Sequence, residues 1–347
     1  MNNKTIAQMA GVSLSTVSKI INNYSDVSEE TRNRVLEIMR QTGYIPSSSA
    51  KSIDNLKKSN LIVVIFAGKQ NVDFTHPFFN EVLNSFKKQI GFLGYDLLFL
   101  TNQKTGGDGG DYLSRCQSYQ VAGCIIVSGQ EIEPSIDALD QSDIPCIGVD
   151  IKLTGTNSGY IMSDNYNLTS KVVEHFYLMG YRDLGYIGSS ASSNISNIRE
   201  AGYRSAMEAL GLSIRPEWFV NGSDFFEQSG YIAMKQILQA ETLPRAIFAA
   251  SDLIAIGAMR AIEEHNLKVP EDIAIIGCDD IEACKYVQPA LTTMRQNKEK
   301  LGILSALMLY DLINNQSSTS SFVVEPELVI RDSCGNKNGS YGVYTTM

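Results

Sequence analysis

The chain has 347 residues, 44% of them apolar and 19% charged, with a formal net charge of −9. That length suits two or three domains with real cores, and the low charge content excludes extended disorder away from the ends. No apolar run is long enough to span a bilayer, and the opening MNNK is not the basic start of an export signal, so a cytosolic protein without membrane contact is expected.

The charge is unevenly placed. Residues 1–58 hold eight Lys/Arg against five Asp/Glu, whereas the remainder holds 21 against 33. A small basic module on an acidic body fits nucleic-acid contact at one end only, and two copies acting together would strengthen so modest an excess. The six cysteines (116, 124, 146, 278, 284 and 334) form no C-x-x-C pair and no zinc-like spacing with histidine. Cys124 and Cys146 lie in apolar runs, which reads as buried, reduced thiols.

Residues 5–23, TIAQMAGVSLSTVSKIINN, read as two short helices joined by a tight turn. Thr5 is placed to cap the first helix with Gln8 completing a capping box, and Ile6, Ala7 and Met9 supply apolar contacts. Gly11 falls where a helix must end in a left-handed conformation. Ser13 then caps a second helix whose Val17, Ile20 and Ile21 share one face, while Leu14, Ser15, Ser18 and Lys19 share the other. The layout is that of a helix-turn-helix, which enters the major groove with the N-terminal residues of its second helix; any small helical hairpin is the plainer alternative. A third helix follows, capped by Ser28, with Glu29 and Glu30 in its first turn, Val35, Ile38 and Met39 as its core stripe and Gly43 at its end. The serine-rich segment 47–55 is too short to be a stable helix alone and reads as a flexible linker.

From residue 60 the pattern changes to short apolar runs at 61–68, 95–100, 123–129, 144–150, 160–164, 184–189, 246–251 and 273–279. Between them lie amphipathic stretches of helical length, among them 78–93, 165–179, 197–210, 226–240 and 252–266. Strand–helix alternation with all-apolar strands predicts parallel sheets covered on both faces, and a break near 155–159 suggests two doubly wound lobes. Ligands in such sheets bind at the carboxyl ends of strands, and two facing lobes make a cleft. The polar, glycine-rich stretch 335–347 reads as a disordered tail, and without a leucine heptad it predicts no tetramer-forming zipper.

The run A-x-x-A-G-V-S-x-x-T-V-S-x-x-x-N from Ala7 to Asn22 resembles the DNA-binding headpiece of the lactose-repressor/galactose-repressor (LacI/GalR) family. The resemblance continues through HPFFNEV (76–82), GYDLLF (94–99), R-E-A-G-Y (199–203), SDLIAIGAMRAI (251–262), VPEDIAIIGCDD (269–280), PALTTMRQ (289–296) and ELVIRDS (327–333). It implies an all-α headpiece at 1–46 and a hinge at 47–59. A periplasmic-binding-protein-like α/β core of two doubly wound parallel sheets would follow at 60–334. In it the first lobe takes about 60–159 plus 293–318, and the second about 160–289 plus 320–334. The family's hinge folds on the operator and wedges an apolar side chain into the minor groove. Ile53 stands in that position here, with Ala50 and Lys51 on the same segment; Ser47, Lys51 and Ile53 replace the family's Asn, Arg and Leu.

For ligand chemistry, sugar-like molecules need apolar faces for stacking and charged or amide groups that grip hydroxyls. Phe78 and Phe79 follow the first strand, with one of them expected in the cleft, and Asp150 ends a strand before a loop. By resemblance Arg199 is the ligand-gripping arginine, Phe225 a stacking aromatic and Asp279 the ligand carboxylate; Gln296 and the 189–197 loop are further polar candidates. Asp279 and Asp280 could instead cap a turn, and Asp252 reads as the cap of the following helix. Ser251-Asp252 stands where the family has Asn-Asp. The glycine cluster 106–110 lacks the Lys-Ser/Thr of a phosphate loop, and His175 and His265 read as surface residues. No catalytic, metal or cofactor constellation is visible.

These readings converge on a ligand-responsive repressor that binds a pseudo-palindromic operator as a homodimer. Ser15, Thr16 and Lys19 would face bases; Thr5, Ser13, Ser18 and Asn22 would sit near phosphates, with Leu14 on the same exposed face. The expected effector is a sugar or sugar phosphate acting on a carbohydrate operon. A core answering to a protein co-regulator is the alternative, and a transport solute-binding protein is disfavoured by the headpiece.

Overall fold

The computed structural model describes residues 3–21, 24, 27–42, 59–68, 74–100, 111–127, 132–190, 192–316 and 321–335. The chain divides into two units, 1–57 and 58–347. The expectations for Asn22, Gly43, the hinge residues Ser47, Ala50, Lys51 and Ile53, the glycine cluster and the stretch 336–347 lie outside the described residues.

The first unit holds helices α1 (Asn3–Ala10), α2 (Leu14–Ile21) and α3 (Glu29–Thr42). Ile6, Ala7, Ala10, Val17, Ile20, Val35 and Met39 form its core, flanked by Val12, Val27 and Ile38. Gly11 turns the chain at φ +63°, and the Val12 amide donates to the Ala7 carbonyl at 3.1 Å, closing α1. The Ser13 hydroxyl accepts the Thr16 amide at 3.0 Å and so caps α2. Two expectations fail here. Helix α1 already begins at Asn3, so Thr5 lies inside its first turn and is not its cap: nothing in Asn3-Lys4 stops the helix from extending upstream. Met9 is 52% exposed, and Ala10, one position on, takes the core contact.

The second unit carries, among the described residues, strands β1 (Leu61–Phe66), β2 (Asp96–Leu100), β3 (Gly123–Val127), β4 (Cys146–Val149), β5 (Ser158–Ser163), β6 (Leu184–Gly188), β7 (Phe219–Asn221), β8 (Ala246–Ala249), β9 (Ala274–Asp279), β10 (Thr292–Arg295), β11 (Ser321–Val324) and β12 (Glu327–Val329). Their helices are α4 (Pro77–Phe92), α5 (Tyr112–Ser118), α6 (Ser135–Asp140), α7 (Asn165–Leu178), α8 (Asn194–Ala209), α9 (Glu227–Ile237), α10 (Asp252–Glu264) and α11 (Lys298–Ile313). One sheet runs β11-β5-β4-β3-β1-β2 with every pair parallel. The other runs β12-β10-β9-β8-β6-β7, parallel except for β12 against β10. In β1, Ile62 and Val64 pack into the cluster holding Phe78, Phe86 and Leu309, while Val63 and Ile65 pack with Tyr112, Cys116 and Leu139. Alternate side chains thus meet a core on each face, which is why the strand reads as an unbroken apolar run.

The chain passes between the sheets three times, and the expected boundaries need correction. Strand β5, expected mostly in the second lobe, pairs with β4, so the first crossing follows Ser163. Strand β10, expected in the first lobe from residue 293, pairs with β9, and the return starts at α11, which packs on α4. Strand β11, expected in the second lobe, pairs with β5, and the last crossing lies between Val324 and Glu327. Local patterning reports that a segment is extended; which sheet it joins is decided by hydrogen-bond partners far along the chain.

Helices α9 and α10 touch through glycine. A Cβ on Gly257 would stand 1.9 Å from the Glu227 carbonyl oxygen, and one on Gly230 2.1 Å from that of Ile254. Gly257→Ala must force the helices apart, and overpacking of this kind costs about 1–3 kcal/mol. The expected result is a lower urea midpoint for the variant; an unchanged midpoint would mean that the two backbones are not in contact.

Candidate functional site

In the first unit the outward face of α2 holds the predicted reading residues. Ser13, Leu14, Ser15 and Lys19 are exposed; Thr16, Ser18 and Thr5 are half-buried. The Ser13 hydroxyl lies 2.7 Å from that of Ser15 and 2.8 Å from that of Thr16, so these three hydroxyls are tied together at the start of the helix. Leu14 stays 51% exposed beside them. A polar helix terminus with one apolar side chain and a lysine one turn on suits a groove offering base acceptors and thymine methyls.

In the second unit all seven residues predicted for the effector line one cavity between the two sheets. Phe78 and Phe79, of which only one was expected there, both face it from the start of α4. Asp150 follows β4, Asp279 ends β9 and Gln296 follows β10, so the polar groups come from the carboxyl ends of strands as the topology requires. Arg199 reaches in from α8 and Phe225 from the loop before α9. The cavity also includes His76, Ser193 and Ile195. Ser193 lay in the loop flagged as polar; His76 was missed because a lone histidine before Pro77 carries no pattern of its own. The unfilled space is about 400 Å³ including the mouth.

The electrostatics follow from burial. Arg199 is 2% exposed; its Nε donates to Asn165 Oδ1 at 2.7 Å and its Nη1 to the Ala250 carbonyl. Among the described residues Nη2 has no protein acceptor. Burial pushes the Asp150 carboxyl up to about 6, with Asp279 adding to the rise and Arg199 opposing it. Burial likewise raises Asp279 to about 6 against the pull of Arg199 and the Gln296 hydrogen bond, whose Nε2 donates to Oδ1 at 2.6 Å. Burial, then the charge of Arg199, lower His76 to about 4. Backbone geometry aims the carboxylates: Asp150, Asp279 and Asp280 have φ of +57°, +125° and +54°. Positive φ in non-glycine residues is strained and is held by surrounding bonds. Here Lys298 Nζ donates to the carbonyls of Asp279 and Asp280 at 2.9 and 2.6 Å, and Asp280 pairs with Arg295 and Arg331.

Three readings change. Ser251, not Asp252, caps α10: its hydroxyl accepts the Ile254 amide and donates to the Phe225 carbonyl at 2.9 Å. Asp252 is fully buried and accepts from the Ile281 amide at 2.9 Å and from the Thr293 hydroxyl, anchoring the turn after β9. Asp280 caps no turn but holds two arginines. His265 is exposed as expected; His175 is half-buried, and burial lowers its pKa. All six cysteines are buried thiols. No helix among the described residues is long and apolar enough to cross a membrane.

The pattern described as "Bacterial regulatory proteins, lacI family" matches residues 4–47, and that of a periplasmic-binding-protein-like domain matches 173–334. A relative from Pasteurella multocida (strain Pm70), the HTH-type transcriptional repressor PurR, is 32% identical over 337 residues, covering 95% of this chain and 97% of that protein. Among solved structures, the lac repressor dimer bound to operator and the anti-inducer ONPF superposes with a TM-score of 0.71 at 28% identity, over 95% of this chain and 97% of that one. A complex of the transcriptional regulator CelR with cellobiose gives 0.70 at 25% identity, over 96% and 99%. Identity at that level along nearly the whole of both sequences makes this chain a member of the LacI family of bacterial regulatory proteins.

Proposed function

We propose that the protein is a transcriptional repressor that reads a two-fold operator as a homodimer through α2, with its DNA affinity set by a sugar-like small molecule in the interlobe cavity. The observation that carries the effector half is the convergence of aromatic faces, a partly engaged guanidinium and two buried carboxyls on one cavity. Rings of this kind stack on the C–H faces of sugars, and carboxylates grip their hydroxyl pairs. The named relatives support the repressor half, the cellobiose held by CelR supports a sugar, and the operator-bound lac repressor supports DNA as the partner of a dimer. A flat nitrogen heterocycle of purine type would use the same rings and carboxylates and is the second class to test.

Because the cavity joins two sheets crossed by three chain segments, ligand binding would select one lobe arrangement over another. It shifts DNA affinity only by its differential affinity for the two arrangements. A core that answers to a protein partner would not need the buried Arg199, and this separates the two readings.

A thermal-shift screen over mono- and disaccharides and purine bases is the first experiment, since a bound ligand raises the midpoint by mass action. Arg199→Ala should abolish the shift given by the hit and the response of operator affinity to it; an intact response in this variant would favour a protein co-regulator. Protonation supplies a second check. With Asp150 and Asp279 raised to about 6, ionisation above that pH costs the folded core stability that is fully present below the unfolded carboxyl range of about 4. Asp150→Asn should therefore gain on the wild type as pH rises from 4.5 to 7.5, by about 1–3 kcal/mol at most, and effector affinity should fall as pH drops through 6. A flat difference across that window would contradict the buried-carboxyl reading. At the DNA end, Lys19→Ala should weaken operator binding by about 1–3 kcal/mol and relax choice at one base pair. Equal loss on random duplexes would assign Lys19 to phosphate.

A further inference from the structure

Among the described residues four buried polar atoms at the interlobe cavity have no protein partner: Nδ1 and Nε2 of His76, Oδ1 of Asp150 and Oε1 of Gln296. Such atoms are rare in folded proteins and stand out when several face one space. His76 is 3% exposed and occupies the N-cap position of α4, yet its ring makes no cap bond. Aromatic rings surround it instead, with centroids of Phe226, Phe79 and Phe225 at 5.4, 5.6 and 6.5 Å. A neutral imidazole offers one N–H donor and one acceptor nitrogen. Burial and Arg199 keep His76 neutral at physiological pH.

The groups awaiting a ligand can then be matched by type. Gln296 Oε1, Asp150 Oδ1 and one nitrogen of His76 accept; the other His76 nitrogen and Arg199 Nη2 donate. A molecule rich in hydroxyl or ring N–H groups meets that set. A phosphate brings only acceptors and negative charge, to a site lined by three waiting acceptors, two carboxyls and one guanidinium, while the nearby Lys298 ammonium is already taken up by the Asp279 and Asp280 carbonyls.

We propose that His76 is a specificity-determining contact that binds a hydroxyl or ring N–H of an uncharged effector, and that with Asp150 and Gln296 it turns the phosphorylated form away. The inference rests on the reading of this cavity as the effector site and narrows the ligand class given there.

The test is isothermal titration of the full chain with paired probes: glucose and glucose 6-phosphate, ribose and ribose 5-phosphate, inosine and inosine monophosphate, with cellobiose and hypoxanthine alongside. The uncharged member of a bound pair should bind at least roughly 10-fold more tightly. His76→Phe and His76→Leu should each weaken it roughly 10- to 30-fold, as loss of one or two neutral hydrogen bonds does. Tighter binding of the phosphorylated member, or unchanged affinity in both variants, overturns the proposal. The ligand-free midpoints give an independent reading. At least one variant should melt no lower than the wild type, because it removes a partnerless imidazole; both melting lower would mean that the ring is paired inside the protein, which also overturns it. Binding of none of the probes would overturn the effector-site reading itself, and the ligand-free midpoints distinguish that failure from an error about His76.

Discussion

A guanidinium and two carboxyls from different sheets, all buried at one cavity and incompletely matched, are the constraint that shapes the middle of this molecule. Arg199 is anchored by Asn165 and by the Ala250 carbonyl, and it faces Asp150 at the end of a first-sheet strand and Asp279 at the end of a second-sheet strand. Charges removed from water are expensive unless each is matched by a partner and further hydrogen bonds. Here the match is incomplete: one carboxylate oxygen of Asp150 has no protein donor, and both acidic groups are held well above the usual carboxylate range. The cluster therefore leaves polar groups at the cavity that the protein itself does not satisfy.

Two of the three segments that cross between the sheets touch this cluster, the first through Asn165, which accepts from Arg199. Gln296, directly after β10 in the second sheet, donates to Asp279. Lys298, at the start of α11 on the first lobe, holds the carbonyls of Asp279 and Asp280 and stands 3.4 Å from Glu81 of α4. A change at Asp279 thus bears on side chains of both lobes within four residues of a crossing. That arrangement is what a conformational equilibrium needs if a small ligand is to bias it, because only contacts that differ between two arrangements shift their populations.

Much of this was legible in the chain. Apolar runs such as 61–68 and 273–279 became strands buried on both faces, and Gly11 and Ser13 produced the predicted turn and cap. The seven expected ligand residues meet at one cavity: Asp150, Asp279 and Gln296 come from strand ends, which converge there in doubly wound sheets whatever the register, and the others from helices and a loop beside them. What stayed hidden depended on long-range pairing. Strands β7, β11 and β12 are three or four residues long, and β11 carries three exposed positions, so no alternation marks them. Lys298 looks like an ordinary helix-start lysine, and Asp252 like a cap, until Asp279 and Thr293 are brought to them by β9 and β10. His76 gives no local signal either; the rings of Phe225 and Phe226 are drawn around it from another part of the chain.

The most direct measurement is a carbon-13 NMR titration of the aspartate carboxyls in the ligand-free protein, with Asp150→Asn and Asp279→Asn used to assign the signals. The incomplete charge cluster predicts two carboxyls with midpoints near 6. Midpoints at or below about 4 for both would show that the protein already satisfies them, and would contradict the account of the cleft as a site completed by its ligand.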